Sequence, residues 1–118
     1  GRREPAPPGY LERISIKSRG RVRFLDVDRI DWIEAAGVYV LLHAGGEEHL
    51  YRSTMGQLVA QLDPGRFARI HRSAAVNLAR VREVRSLGHG ENEVRLDGGK
   101  GLRMSRAYRA NLERWIAG

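Results

Sequence analysis

In the stretch Phe67-Ala68-Arg69-Ile70-His71-Arg72-Ser73-Ala74-Ala75-Val76-Asn77, the apolar residues Phe67, Ile70 and Val76 are expected to anchor a short irregular segment. Arg72, Ser73 and Asn77 hold fixed places within it. A guanidinium, then a hydroxyl, then an amide four residues on is hydrogen-bonding equipment in a rigid setting. With Met104-Ser105-Arg106 downstream, the pattern predicts a protein that grips a polyanion through loops held by a packed β scaffold.

The segments on either side support that scaffold. Upstream, Leu11, Ile14 and Ile16, then Ser18-Arg19-Gly20-Arg21, then Val22, Phe24 and Leu25 read as strand, tight turn, strand. Residues 28–36 (DRIDWIEAA) and 38–44 (VYVLLHA) flank Gly37, and Gly45-Gly46-Glu47 turns the chain toward a further strand at 48–52. Residues 53–62 break the alternation: Met55, Leu58, Val59 and Leu62 are spaced for one helical face, with Ser53 or Thr54 as N-cap. Asp63-Pro64-Gly65 ends that helix. Short strands are expected at 69–71, 79–87, 93–96 and 101–104, punctuated by Gly88-His89-Gly90 and Asp97-Gly98-Gly99. A closing helix over 105–116, capped by Ser105, uses Tyr108, Leu112 and Trp115 or Ile116. Residues 1–9 (GRREPAPPG), with three prolines and no apolar periodicity, read as a linker from an upstream domain. Residues 10–118 form one mainly β domain.

The chain is long enough for one real core. No apolar run approaches the roughly 20 residues that span a bilayer, so no membrane contact by this domain is expected. Cysteine is absent, which removes disulfides and thiolate metal sites and fits a reducing compartment. The net charge of +7 draws phosphate backbones, with affinity falling as salt rises. Yet no long basic helix is present to act as a recognition element.

Three motifs carry a family resemblance: Ile30-Asp31-Trp32-Ile33-Glu34-Ala35-Ala36-Gly37-Val38-Tyr39-Val40, then Arg66-Phe67 through His71-Arg72-Ser73 to Val76-Asn77, then Met104-Ser105-Arg106 with Tyr108. In this order and at these separations they resemble the LytTR DNA-binding domain, the output half of many bacterial response regulators, from about residue 10 to 116. The resemblance implies a LytTR-like fold, an elongated sandwich of small antiparallel sheets with two short helices. It also implies a cytoplasmic transcription regulator whose loops enter successive grooves of promoter double-stranded DNA. Direct-repeat sites, an upstream receiver or sensor domain and a homodimer formed on DNA belong to the same expectation.

By that resemblance the DNA-facing residues are Val38 and Tyr39 beside Gly37; His71, Arg72, Ser73 and Asn77; and Ser105, Arg106 and Arg109. Family members often carry a polar residue in place of Val38. Arginine suits the task because its planar fork binds guanine O6 and N7 together, or bridges phosphate oxygens. Ser73 and Asn77 also favour local backbone hydrogen bonds that fix a loop, and both roles stay open for them at this stage. Trp32, Tyr51, Phe67, Tyr108 and Trp115 sit among apolar neighbours and read as core. Glu34 reads as anchoring the Gly37 turn or pairing with an arginine. His43, His49, His71 and His89 lack His-x-x-x-His or Cys/His metal spacing, so neither metal nor cofactor is expected. No nucleophile elbow or paired-carboxylate motif occurs, so an enzyme is not expected. A β-barrel RNA or single-strand binder is the alternative, and a metal-dependent enzyme domain is a remoter one.

Overall fold

A computed structural model describes residues 9–117. The linker expected over residues 1–9 lies outside these, save Gly9. The chain folds into three small antiparallel sheets with overall dimensions of 48 × 32 × 26 Å, the elongated, mainly β architecture expected.

The first sheet is a hairpin of β1 (Arg13–Ser18) and β2 (Arg21–Asp26). Its two-residue turn, Arg19-Gly20, has φ of 49° and 76°, the paired positive values that match the twist of flanking strands. A 3-10 turn at Val27–Arg29 leads into β3 (Trp32–Ala36), so residues 28–31 are not strand. Then follow β4 (Tyr39–Ala44), β5 (Glu47–Arg52) and helix α1 (Met55–Ala60). Of the two candidate caps, Thr54 closes a capping box with Gln57.

The main correction falls on the stretch expected to be irregular, where a strand is expected at 69–71 but none at 74–77. It is a hairpin of β6 (Phe67–His71) and β7 (Ala74–Asn77), bulged between Arg69 and His71. All four β7 residues are buried, and β7 sits between β3 and β6 in a five-stranded sheet of order β5-β4-β3-β7-β6. A strand covered on both faces shows no alternation to betray it, and its Ala-Ala start has weak strand propensity.

A second 3-10 turn, Leu78–Arg80, precedes β8 (Val81–Gly88), which forms the third sheet with β9 (Glu91–Leu96) and β10 (Gly101–Met104). The closing helix starts later than expected. A 3-10 turn at Arg106–Tyr108 comes first, then α2 (Ala110–Ala117), and Ser105 makes no side-chain capping bond.

Two apolar clusters lie on opposite faces of the central sheet. Ile14 and Ile16 of the hairpin and Met55, Leu58 and Leu62 around α1 pack on Ile33, Val40 and Leu42. Val94, Leu96, Met104 and Leu112 pack on Ala68, Ile70, Ala74 and Val76. Burial from both sides makes the central sheet a stiff platform. Phe67 is core as expected, Trp32 and Tyr51 are half-buried, and Trp115 is instead 48% exposed near the chain end.

Candidate nucleic-acid interface

Antiparallel register decides which turns share an end of the platform. Ala36 pairs with Tyr39 across the Gly37-Val38 turn, His71 with Ala74 across the Arg72-Ser73 turn, and Glu34 with Ala74 between them. Both turns therefore stand at one end of the central sheet, and the amide of Ala35 donates to the Ser73 carbonyl at 2.9 Å. Tyr39 pairs with Arg52, so β5 finishes at the same end. The third motif arrives from the other sheet: the Ser105 amide donates to the Ile70 carbonyl at 2.9 Å, two residues before Arg72.

Arg72 is exposed, and among the described residues its guanidinium has no ion-pair partner. The turn beneath it is held from behind. Arg69 donates from Nη2 to the Arg72 carbonyl at 2.6 Å and from Nε to the His71 carbonyl at 3.3 Å. The Arg69 guanidinium also lies 5.3 Å from the centre of the Tyr108 ring, a cation–π contact. His71 Nδ1 accepts the Ser73 amide at 3.2 Å and lies 2.9 Å from Ser73 Oγ. His71 and Ser73 are both half-buried, and His71 Nδ1 with the Ser73 amide and hydroxyl shapes the turn that presents Arg72.

At the neighbouring turn, Gly37 has φ of 71°, a left-handed conformation that a side chain resists. Val38 is 55% exposed at the tip. Tyr39 is half-buried, its Oη accepting from Arg52 Nη1 at 3.3 Å while the guanidinium lies over the ring at 5.6 Å. Arg106 is exposed, and its stem packs on Gly90, where an added Cβ would sit 2.7 Å from Arg106 Cδ. Among the described residues Arg106 has no ion-pair partner.

Two expected contacts change character. Asn77 is 4% exposed at the opposite end of β7 from the Arg72 turn. Its Nδ2 donates to the Ile30 and Asp28 carbonyls at 2.8 and 3.2 Å, and its Oδ1 accepts the Ala79 amide at 3.0 Å. Asn77 thus leaves the DNA-facing group, because the local bonding role has consumed its amide. Arg109 Nε pairs with Glu113 one helical turn on at 3.1 Å, so its charge is already answered. Glu34 anchors neither turn nor arginine; it bonds His43 Nε2 at 2.9 Å. Sequence reading missed Arg69 and Arg52. Arg69 left one trace, as a cation on the half-exposed face of a strand three residues before the turn.

Residues 20–117 match the LytTr DNA-binding domain family. This chain belongs to that family. It is 35% identical over 86 residues to the CO-responsive transcriptional regulator RcoM of Rhodospirillum rubrum, covering 73% of this chain and 36% of that one. It is 30% identical over 94 residues to an uncharacterized response regulatory protein of Vibrio cholerae, covering 76% and 36%. The chain thus spans about a third of the length of these relatives. Its fold is similar to that of a solved LytTr DNA-binding domain, from a Bacillus cereus protein described as a methyl-accepting/DNA response regulator. That match has a TM-score of 0.80 and 16% identity, over 92% of this chain and 99% of the other.

In this LytTR domain the single-strand-binding alternative finds little support. The three sheets are open rather than closed into a barrel. Trp32 is stacked on His43, with centroids 4.0 Å apart and planes 3° from parallel, and lies 5.2 Å from the Lys100 ammonium. Among the described residues no three His, Cys, Asp or Glu side chains gather as metal ligands would, and no helix is long and apolar enough to cross a membrane.

Proposed function

We propose that this LytTR domain reads double-stranded promoter DNA with Arg72 and Arg106, assisted by Val38 and Tyr39, and is the output domain of a two-component response regulator. The observation that carries the reading is the meeting, at one end of a rigid platform, of two exposed arginines without ion-pair partners from sequence-distant motifs. An unpaired guanidinium on a stiff support keeps its full donor fork for guanine or phosphate and loses little side-chain freedom on binding. Val38, apolar and exposed, suits a thymine methyl better than a hydrogen-bonding base edge. Ser105 fits the same surface through its position beside Ile70, and Arg109 at most through phosphate.

Residues 1–9 act as the linker to an upstream receiver or sensor domain, in keeping with relatives about twice as long and named as regulators. Direct-repeat sites filled by two copies, and a cytoplasmic location, complete the proposal.

The test selects a duplex from a random-sequence pool with the wild-type domain, then titrates it against a scrambled duplex across salt. Arg72→Ala and Arg106→Ala each cost specific binding about 1–3 kcal/mol with the fold intact. Equal affinity for selected and scrambled duplexes at every ionic strength would overturn the reading.

A further inference from the structure

Residues 13–23 (RISIKSRGRVR) carry five cations and no acid. In the structure they form most of the β1–β2 hairpin. The base of this hairpin is anchored, since Ile14 and Ile16 are buried and Leu25 is half-buried against the first core cluster. Its outer half is not: every residue from Lys17 to Phe24 is exposed. A hairpin normally buries one face. Here a ribbon pinned at one end projects from the body. Among the described residues, Lys17, Arg19, Arg21 and Arg23 have no ion-pair partner. Four like charges on one ribbon repel each other, which costs stability that an external polyanion restores.

The arm also adjoins the surface already described. Lys17, Ser18 and Arg23 line one wall of an open groove of about 890 Å³, and Tyr39 and Arg52 line the other. Strand alternation places Arg21 and Arg23 on the same side of the ribbon as Ile14 and Ile16, so these guanidinia face the body. The acids of the groove, Glu47 and Glu48, stand at the opposite end of β5 from Arg52. Each lies 3.8 Å from a histidine nitrogen, of His49 and His43 respectively.

We propose that the β1–β2 hairpin is a second DNA-contact element, a phosphate-gripping arm that extends the footprint beyond the groove-reading turns. It rests on the DNA-reading surface proposed above and adds affinity without base preference. A backbone phosphate is the occupant that fits. The surface is cationic, the groove's two acids each lie beside a histidine, it continues the Tyr39–Arg52 wall, and its charges sit on an exposed ribbon rather than on the buttressed Arg72 turn. The other face of the ribbon exposes Val22 and Phe24, at 52% and 64%, and serves as the internal control.

The experiment compares the wild-type chain with a Lys17→Gln, Arg19→Gln, Arg21→Gln, Arg23→Gln variant and with a Val22→Ser, Phe24→Ser variant. Each is confirmed folded by circular dichroism and titrated with selected and scrambled duplexes over a salt series. The charge variant is expected to bind both duplexes more weakly, with the slope of log K against log salt shallower by about 2–4 and the preference ratio unchanged. The Val22/Phe24 variant is expected to keep the wild-type slope. An unchanged slope in the charge variant, while Arg72→Ala still lowers preference, overturns the arm and leaves the groove-reading surface standing. A loss of affinity confined to the Val22/Phe24 variant overturns it too and assigns the ribbon to apolar docking. A wild-type domain without preference between duplexes sinks the underlying surface instead.

Discussion

Asn77 separates a structural from a DNA-contacting role cleanly enough for one substitution to decide. Its side chain joins β7 to the turn preceding β3, donating to the Ile30 and Asp28 carbonyls and accepting from Ala79. In Asn77→Ala three hydrogen bonds vanish from a site only 4% exposed. At a net of roughly 0.5–1.5 kcal/mol each, and with polar partners left without their bond, the loss is about 2–4 kcal/mol. For a domain of this length each kcal/mol lowers Tm by about 4 °C, so thermal unfolding should move down by roughly 8–16 °C. Asn77→Asp should be at least as damaging, because it keeps the acceptor for Ala79 but turns an anion toward two carbonyls. Well below its Tm, the Asn77→Ala domain should bind duplex DNA with near wild-type affinity. An unchanged Tm together with weakened DNA binding would refute the reasoning and return Asn77 to the interface.

Three further outcomes follow from the same geometry. Arg69→Ala should weaken duplex binding in the same sense as Arg72→Ala, although Arg69 faces Tyr108, because the Arg72 turn loses two of its buttressing bonds; wild-type affinity by calorimetry would dismiss that role. Gly37→Ala should cost about 1–2 kcal/mol in a denaturant melt through its left-handed backbone alone, since no heavy atom lies within 4 Å of the added Cβ; a neutral result would mean that the Gly37-Val38 turn relaxes to another form. Trp32→Ala should cost about 2–3 kcal/mol, less than the 3–5 of a fully buried aromatic, because Trp32 is half-buried between His43 and Lys100. Trp115 remains as the fluorescence probe, and an unaltered denaturation midpoint would show that the Trp32–His43 stack contributes nothing.

The hairpin turns were legible because their chemistry is local. Arg19-Gly20, Gly45-Gly46 and Gly90 carry the positive φ that ends strands tightly, and most strands announced themselves by alternation. The strand at 74–77 did not, and its neighbours explain why: β3 and β6 flank it while apolar layers cover both faces, so Ala74, Ala75, Val76 and Asn77 are all inside. Nor did the residues near 105 reveal a delayed helix, since a 3-10 turn and an α-turn differ by one hydrogen-bond step that similar sequences accommodate.

By itself, then, the chain determined its strand-and-turn content, its basic character and the identity of three motifs, all properties of residues within a few positions of each other. Tertiary structure alone decided that Arg72 stands exposed while Asn77, five residues on, is sealed inside. It also decided that Trp115 is exposed, and that motifs more than 30 residues apart meet at one end of the platform. The physical reason is that sheet order and two-sided burial arise from hydrogen bonds and packing between distant strands. No local periodicity encodes which strand will lie beside which.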